Sequence, residues 1–169
     1  MTKKVIWGVL FILIAALLQS VILSRLTLRI YAMPDIALGI LVFIAYLNGT
    51  MTGQLTGFFS GVLIDFLSAA PLGLNALVRT LVGALAGMLK GTFYLDVIFL
   101  PMILCAVATI FKALTFLLLH TIFGDSVPSY TLFGLTFWVE LGLNTIIAPF
   151  LFAFLRLFKS ILVGQRENA

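Results

Sequence analysis

Six polar side chains in an otherwise apolar chain have the types and spacing to do chemistry. The stretch GFFSGVLIDFLSAAPLGLNALVR, residues 57 to 79, keeps an acid at Asp65, an amide at Asn75 and a base at Arg79. A second group, Lys112, Glu140 and Asn144, interrupts two later apolar runs. An acid facing a base in low dielectric can clamp two helices, move a proton or bind a polar partner. An unpaired charge at mid-bilayer costs about 3 kcal/mol on insertion scales, so each of these groups needs a partner.

At 100° per residue, Gln54, Gly57, Gly61, Asp65 and Ser68 share one stripe of a helix. Asn75, Arg79, Gly83, Ala86 and Lys90 share one stripe of the next. The connection Ala69-Ala70-Pro71 is too short for anything but an antiparallel hairpin, so the two stripes are expected to face each other. Asp65 and Asn75 then sit at similar depth, with Arg79 about one turn deeper. Asp65, Ser68, Asn75 and Arg79 form a polar intramembrane cluster, read either as a structural clamp or as a polar pocket or partner site. Lys112 and Glu140 lie at nearly equal distances from the middle of the loop Gly124–Tyr130, and Asn144 is one turn from Glu140 on the same face. These three are expected to form a second buried network. Pro149 follows, able to free a backbone carbonyl.

Other reactive types are less well placed. His120 stands without a Cys, Asp or Glu at ligand spacing, so no metal is expected. Gly57-Phe58-Phe59-Ser60-Gly61 has a superficial likeness to an intramembrane serine protease motif with His120 as base. That motif has one residue between Gly and Ser, and this chain has two. The single cysteine, Cys105, excludes an intrachain disulfide and a cysteine metal cluster. Phosphate loops, acidic metal motifs and paired carboxylates suited to sugar chemistry are missing, so neither an enzyme nor a cofactor is expected.

The elements that must position these groups follow from composition. The chain is 63% hydrophobic and 9% charged, with a mean hydropathy of +1.25, against about 45–50% and about 25% in soluble domains. This implies an all-α integral membrane protein, and residues 1–169 read as a single polytopic domain because no polar run is long enough to hide a soluble one. The net charge of +4 comes from basic residues mainly at segment ends, where they touch anionic lipid, and nucleic acid is discounted.

Crossing the hydrocarbon core takes about 20 apolar residues. Gly, Pro, Asn and charge divide the chain into six expected spans, roughly 5–24, 35–48, 51–68, 72–90, 95–123 and 131–157. The first, behind Lys3-Lys4, reads as a retained span, and the boundary at Asn48-Gly49-Thr50 is the tightest. Six spans put Lys3, Lys4, Lys90, Arg156, Lys159 and Arg166 on one side against Arg25 and Arg29, so both termini are expected in the cytoplasm. Tyr31, Tyr94 and Tyr130 fall at span ends, as an aromatic belt requires. Two small-residue ladders, Gly53, Gly57, Gly61 and Gly83, Gly87, Gly91, permit close helix approach. The first merges with the Asp65 stripe, so the second is the candidate face for packing a partner helix.

The arrangement MPDIALGILVFIAYLNG, then GFFSGVLIDFLSAAPLGLNAL, then LNTIIAPFLFAFLRLFK before a short basic tail resembles the rod shape-determining protein MreD family. The most specific part is the spacing of Gly61, Asp65, Ser68, Gly73 and Leu77, supported by Pro34-Asp35 and by Asn144 to Pro149. The resemblance implies a non-enzymatic scaffold of the bacterial inner membrane. Such a scaffold pairs with an MreC-like bitopic protein and helps couple MreB filaments to peptidoglycan synthases. It also implies a six-transmembrane-helix bundle similar to the S components of energy-coupling-factor transporters. The alternative reading is a substrate-binding subunit of such a vitamin transporter, although the short outer loops favour the scaffold.

Overall fold

The computed structural model describes residues 2–26, 33–68, 71–91, 98–127 and 134–162. Arg29, Tyr31, Ala69, Ala70, Tyr94, Tyr130 and Arg166, and the side chain of Arg25, lie outside the described residues, and with them the aromatic belt and part of the short hairpin connection.

Among the described residues, six long α-helices and one short one follow in order: α1 Thr2–Leu26, α2 Ile36–Asn48, α3 Thr50–Leu67, α4 Leu74–Met88, α5 Phe99–Phe123, α6 Leu135–Leu157 and α7 Lys159–Leu162. No strand occurs among the described residues. The breaks fall where the chain's chemistry requires them. Asp35 caps α2 by accepting from the Leu38 amide at 2.9 Å, which satisfies one of the orphan donors of a helix start. Gly49 alone separates α2 from α3 and adopts φ +96°, a backbone that a side chain would oppose. Gly73, at φ +94°, starts α4 in the same way. Pro149 lies inside α6 without ending it.

α2 is the hub. Every residue from Ala37 to Ala45 is buried, because α1, α3, α4, α5 and α6 all pack on it. A helix apolar on all sides has no solvent face to offer, and enclosure is the arrangement that suits it. Around this axis the helices run alternately up and down, with α3 and α4, and α5 and α6, as antiparallel pairs. The start of α1 and the end of α6 share one end of the bundle, the terminal end. There the Asn48 amide donates to the Leu162 carbonyl at 3.0 Å, and the Phe158 ring meets those of Phe11 and Phe154 at a tilt.

Among the described residues, three segments are long and apolar enough to cross a membrane: Thr2–Val21, Phe99–Ser126 and Leu135–Leu157. α2 and α4 are apolar but shorter, and the 13 residues of α2 cover only about 20 Å at 1.5 Å each. The outer surface matches a lipid solvent: Phe66, Phe150 and Leu157, among many others, are exposed.

Candidate functional site: a charge chain around the start of α2

Because α2 is short, its first turn begins deep in the bundle, and the acid that caps it is brought there too. Lys112 is thirteen residues into α5, roughly 20 Å from the terminal end, which is the height α2 reaches from the same end. Lys112 Nζ donates to Asp35 Oδ2 at 2.8 Å and to Glu140 Oε1 at 2.7 Å. From the other side Arg79 Nη2 donates to Asp35 Oδ1 at 3.3 Å. The result is an alternating chain, Arg79, Asp35, Lys112, Glu140, that is charge-neutral and draws one member from each of α4, α2, α5 and α6. All four side chains are largely buried.

Neutral partners extend it. The Asp35 backbone amide donates to Asn144 Oδ1 at 2.7 Å. Asn144 Nδ2 donates to Thr109 Oγ1 at 3.0 Å, and Thr109 in turn donates to the Cys105 carbonyl at 2.8 Å. Gln19 of α1 donates to the Pro34 carbonyl at 2.6 Å. The dipeptide Pro34-Asp35 therefore ties α1, α4, α5 and α6 to the hub. Arg79 keeps Nε and Nη1 buried without a partner among the described residues, a cost of about 1–3 kcal/mol per unsatisfied group by ordinary accounting.

Asp65 is 2% exposed and belongs to a separate arrangement. Its carboxylate accepts from the amides of Gly73, Asn75 and Ala76 at 2.9, 3.0 and 3.2 Å and from Asn75 Nδ2 at 2.9 Å. A carboxylate from the end of α3 thus caps the start of α4, where orphan amides and the helix dipole both favour negative charge. The expected cluster of Asp65, Ser68, Asn75 and Arg79 is divided accordingly. Asp65 meets Asn75 and the start of α4, Ser68 is exposed at the end of α3, and Arg79 turns away to Asp35. Arg79 is a turn further along α4, and the carboxylate at the head of α2 lies within its reach. The second expected network, Lys112, Glu140 and Asn144, is brought together, with Asp35 at its centre.

Asp35 is the residue that reading the sequence for sites missed. Its signal is an acid after a proline and directly before twenty-nine residues without charge, and in the sequence it stands out only through the family pattern. His120 Nδ1 lies 2.8 Å from the Val127 carbonyl.

The partner face assigned to Gly83, Gly87 and Gly91 is corrected. Gly83 packs on the backbone of Gly53, and Gly87 on that of Gly49 and Thr50. Gly57 and Gly61 meet Arg79 and Ala76 of α4 in the same way. The two ladders occupy each other, because only backbone against backbone lets α3 and α4 approach this closely. Gly91 lies past α4 in a turn at φ +73° with open space around it.

Comparison with curated proteins and with solved structures returns no match. A family model does match: the one described as rod shape-determining protein MreD covers residues 1–158. That span takes in every member of the charge chain, the Asp65 cap and both glycine ladders, and the chain belongs to the MreD family.

Proposed function

We propose that this protein is a six-span scaffold of the bacterial cytoplasmic membrane, with both termini in the cytoplasm. It holds the transmembrane helix of an MreC-like partner and thereby helps couple MreB filaments to peptidoglycan synthesis. The observation that carries this reading is the family match over residues 1–158, which implies a role in rod shape determination. The interior supports it physically. The charges of the candidate site are spent on one another and fix the mutual positions of four helices, as a scaffold requires.

With the glycine ladders occupied, the partner helix is assigned to a different face. Beside the ring contact of Phe11 with Phe158, just past α6, α1 and α6 leave a cleft of about 510 Å³ over Ile36 and Ile40 of α2. Its walls are Ile14 and Leu18 on one side and Leu151 and Phe154 on the other, with Gln19 near the far end. In lipid, helix association rests largely on dispersion contacts, and this cleft, lined almost wholly by apolar side chains, supplies them. Ile14→Trp with Leu18→Trp fills it from residues that are already exposed. Folded yield should be unchanged, while co-purification of an MreC-like partner falls at least tenfold and cells relying on the variant lose rod shape. Full retention of the partner would overturn the assignment. High-affinity capture of a vitamin by the purified protein would overturn the scaffold reading itself.

A further inference from the structure

A second cleft, on the opposite side of α6, has a different chemistry. At the terminal end, α2, α5 and α6 enclose about 250 Å³. Its floor is apolar: Phe43 and Phe152 are both buried and meet edge to face at 5.1 Å, beside Leu47 and Leu100. Its rim carries two cations, Arg156 at the end of α6 and Lys159 at the start of α7, both exposed. Neither has a carboxylate partner among the described residues, whereas Arg79 and Lys112 in the interior are paired. Tyr46 lines the same cleft.

Two charges over an apolar floor, at the level where a membrane helix ends, complement one kind of molecule: an anion joined to a hydrocarbon chain. The positive-inside pattern alone would scatter cations over the helix ends. Lys3 and Lys4, at the start of α1, represent that background and line no cleft described at this end. We infer that the cleft between α2, α5 and α6 is a binding site for an anionic phospholipid, with the phosphate held by Arg156 and Lys159 and an acyl chain running over Leu47, Leu100 and Phe152. Arginine can grip the phosphate with two parallel N–H donors, and lysine adds a point charge. Basic pockets between membrane helices are suited to lipid headgroups of this charge.

The test uses the intact chain, purified in detergent and titrated with phosphatidylglycerol or phosphatidylcholine, with bound lipid counted by native mass spectrometry. Phosphatidylglycerol should be retained selectively, and Arg156→Gln with Lys159→Gln should weaken it roughly thirtyfold, since each basic residue near an anionic surface contributes about a factor of five. Lys3→Gln with Lys4→Gln should leave it within twofold. Leu100→Trp, which fills the cleft and keeps both charges, should also abolish retention. Glycerol phosphate, which has the anion without the chain, should not compete. Equal losses from the Lys3/Lys4 and Arg156/Lys159 pairs would show a diffuse surface effect and overturn the site. So would unchanged binding in Leu100→Trp, or competition by glycerol phosphate.

Discussion

Two cations depend on Asp35, and this makes it the residue on which the interior's charge balance turns. Removing Glu140 leaves Lys112 still paired with Asp35, whereas removing Asp35 leaves Arg79 and Lys112 to share one carboxylate that only Lys112 contacts. Stripping one partner from a buried pair typically costs about 3–5 kcal/mol. Asp35→Leu should therefore reduce the folded fraction, measured by size-exclusion chromatography, more than Glu140→Leu does. The double variant Lys112→Leu/Glu140→Leu, which keeps the interior neutral and the Arg79 pair intact, should fold better than either of its single changes. If the double change is as harmful as the two singles combined, the pair is not coupled. The meeting of Lys112 with Glu140 could be read from matched depth in a hairpin. The centre of the network could not, because depth counting assumes helices of equal length, and α2 has only 13 residues.

At the scale of elements, the α3–α4 pair is the tightest joint in the fold. A side chain on Gly83 would run into the carbonyl of Gly53, and one on Gly57 into that of Arg79. Backbone cannot step aside as a flexible side chain can, so Gly83→Leu should cost several kcal/mol, beyond the usual range of about 1–3 kcal/mol for core overpacking. Gly142, with nothing within 4 Å of an added Cβ, is the control. Gly142→Ala should leave thermal stability unchanged or raise it by up to about 1 kcal/mol through helix propensity. Equal behaviour of the two variants would mean the ladders do not set the helix approach. Spacing by four small residues disclosed close packing from the sequence. It could not disclose the neighbour, since both ladders have the same pattern and each is the other's complement. Helix limits were legible to within a few residues because Gly, Pro and Asp punctuate an apolar chain sharply, and the α2–α3 boundary proved to be the single residue Gly49.

For the whole molecule, the up-and-down order gathers Lys3, Lys4, Lys90, Arg156 and Lys159 at the terminal end, with Asp125 at the other end of α5. Single cysteines placed in a Cys105→Ser background should react with an impermeant thiol reagent in intact cells at position 125 and not at positions 3 or 166. The reverse pattern would invert the proposed orientation. In the unaltered chain, Cys105 has a further use. The only thiol in the protein is 4% exposed, faces Gly39 of the hub helix and lies one turn from Thr109 below the charge chain. Cys105 lines a narrow cleft with Asp35, Gly39, Thr109 and Asn144, so a small membrane-permeant alkylator should react with it slowly, at a rate set by the widening of that cleft. The protein carries its own probe of breathing, already installed at its centre and requiring no engineered label.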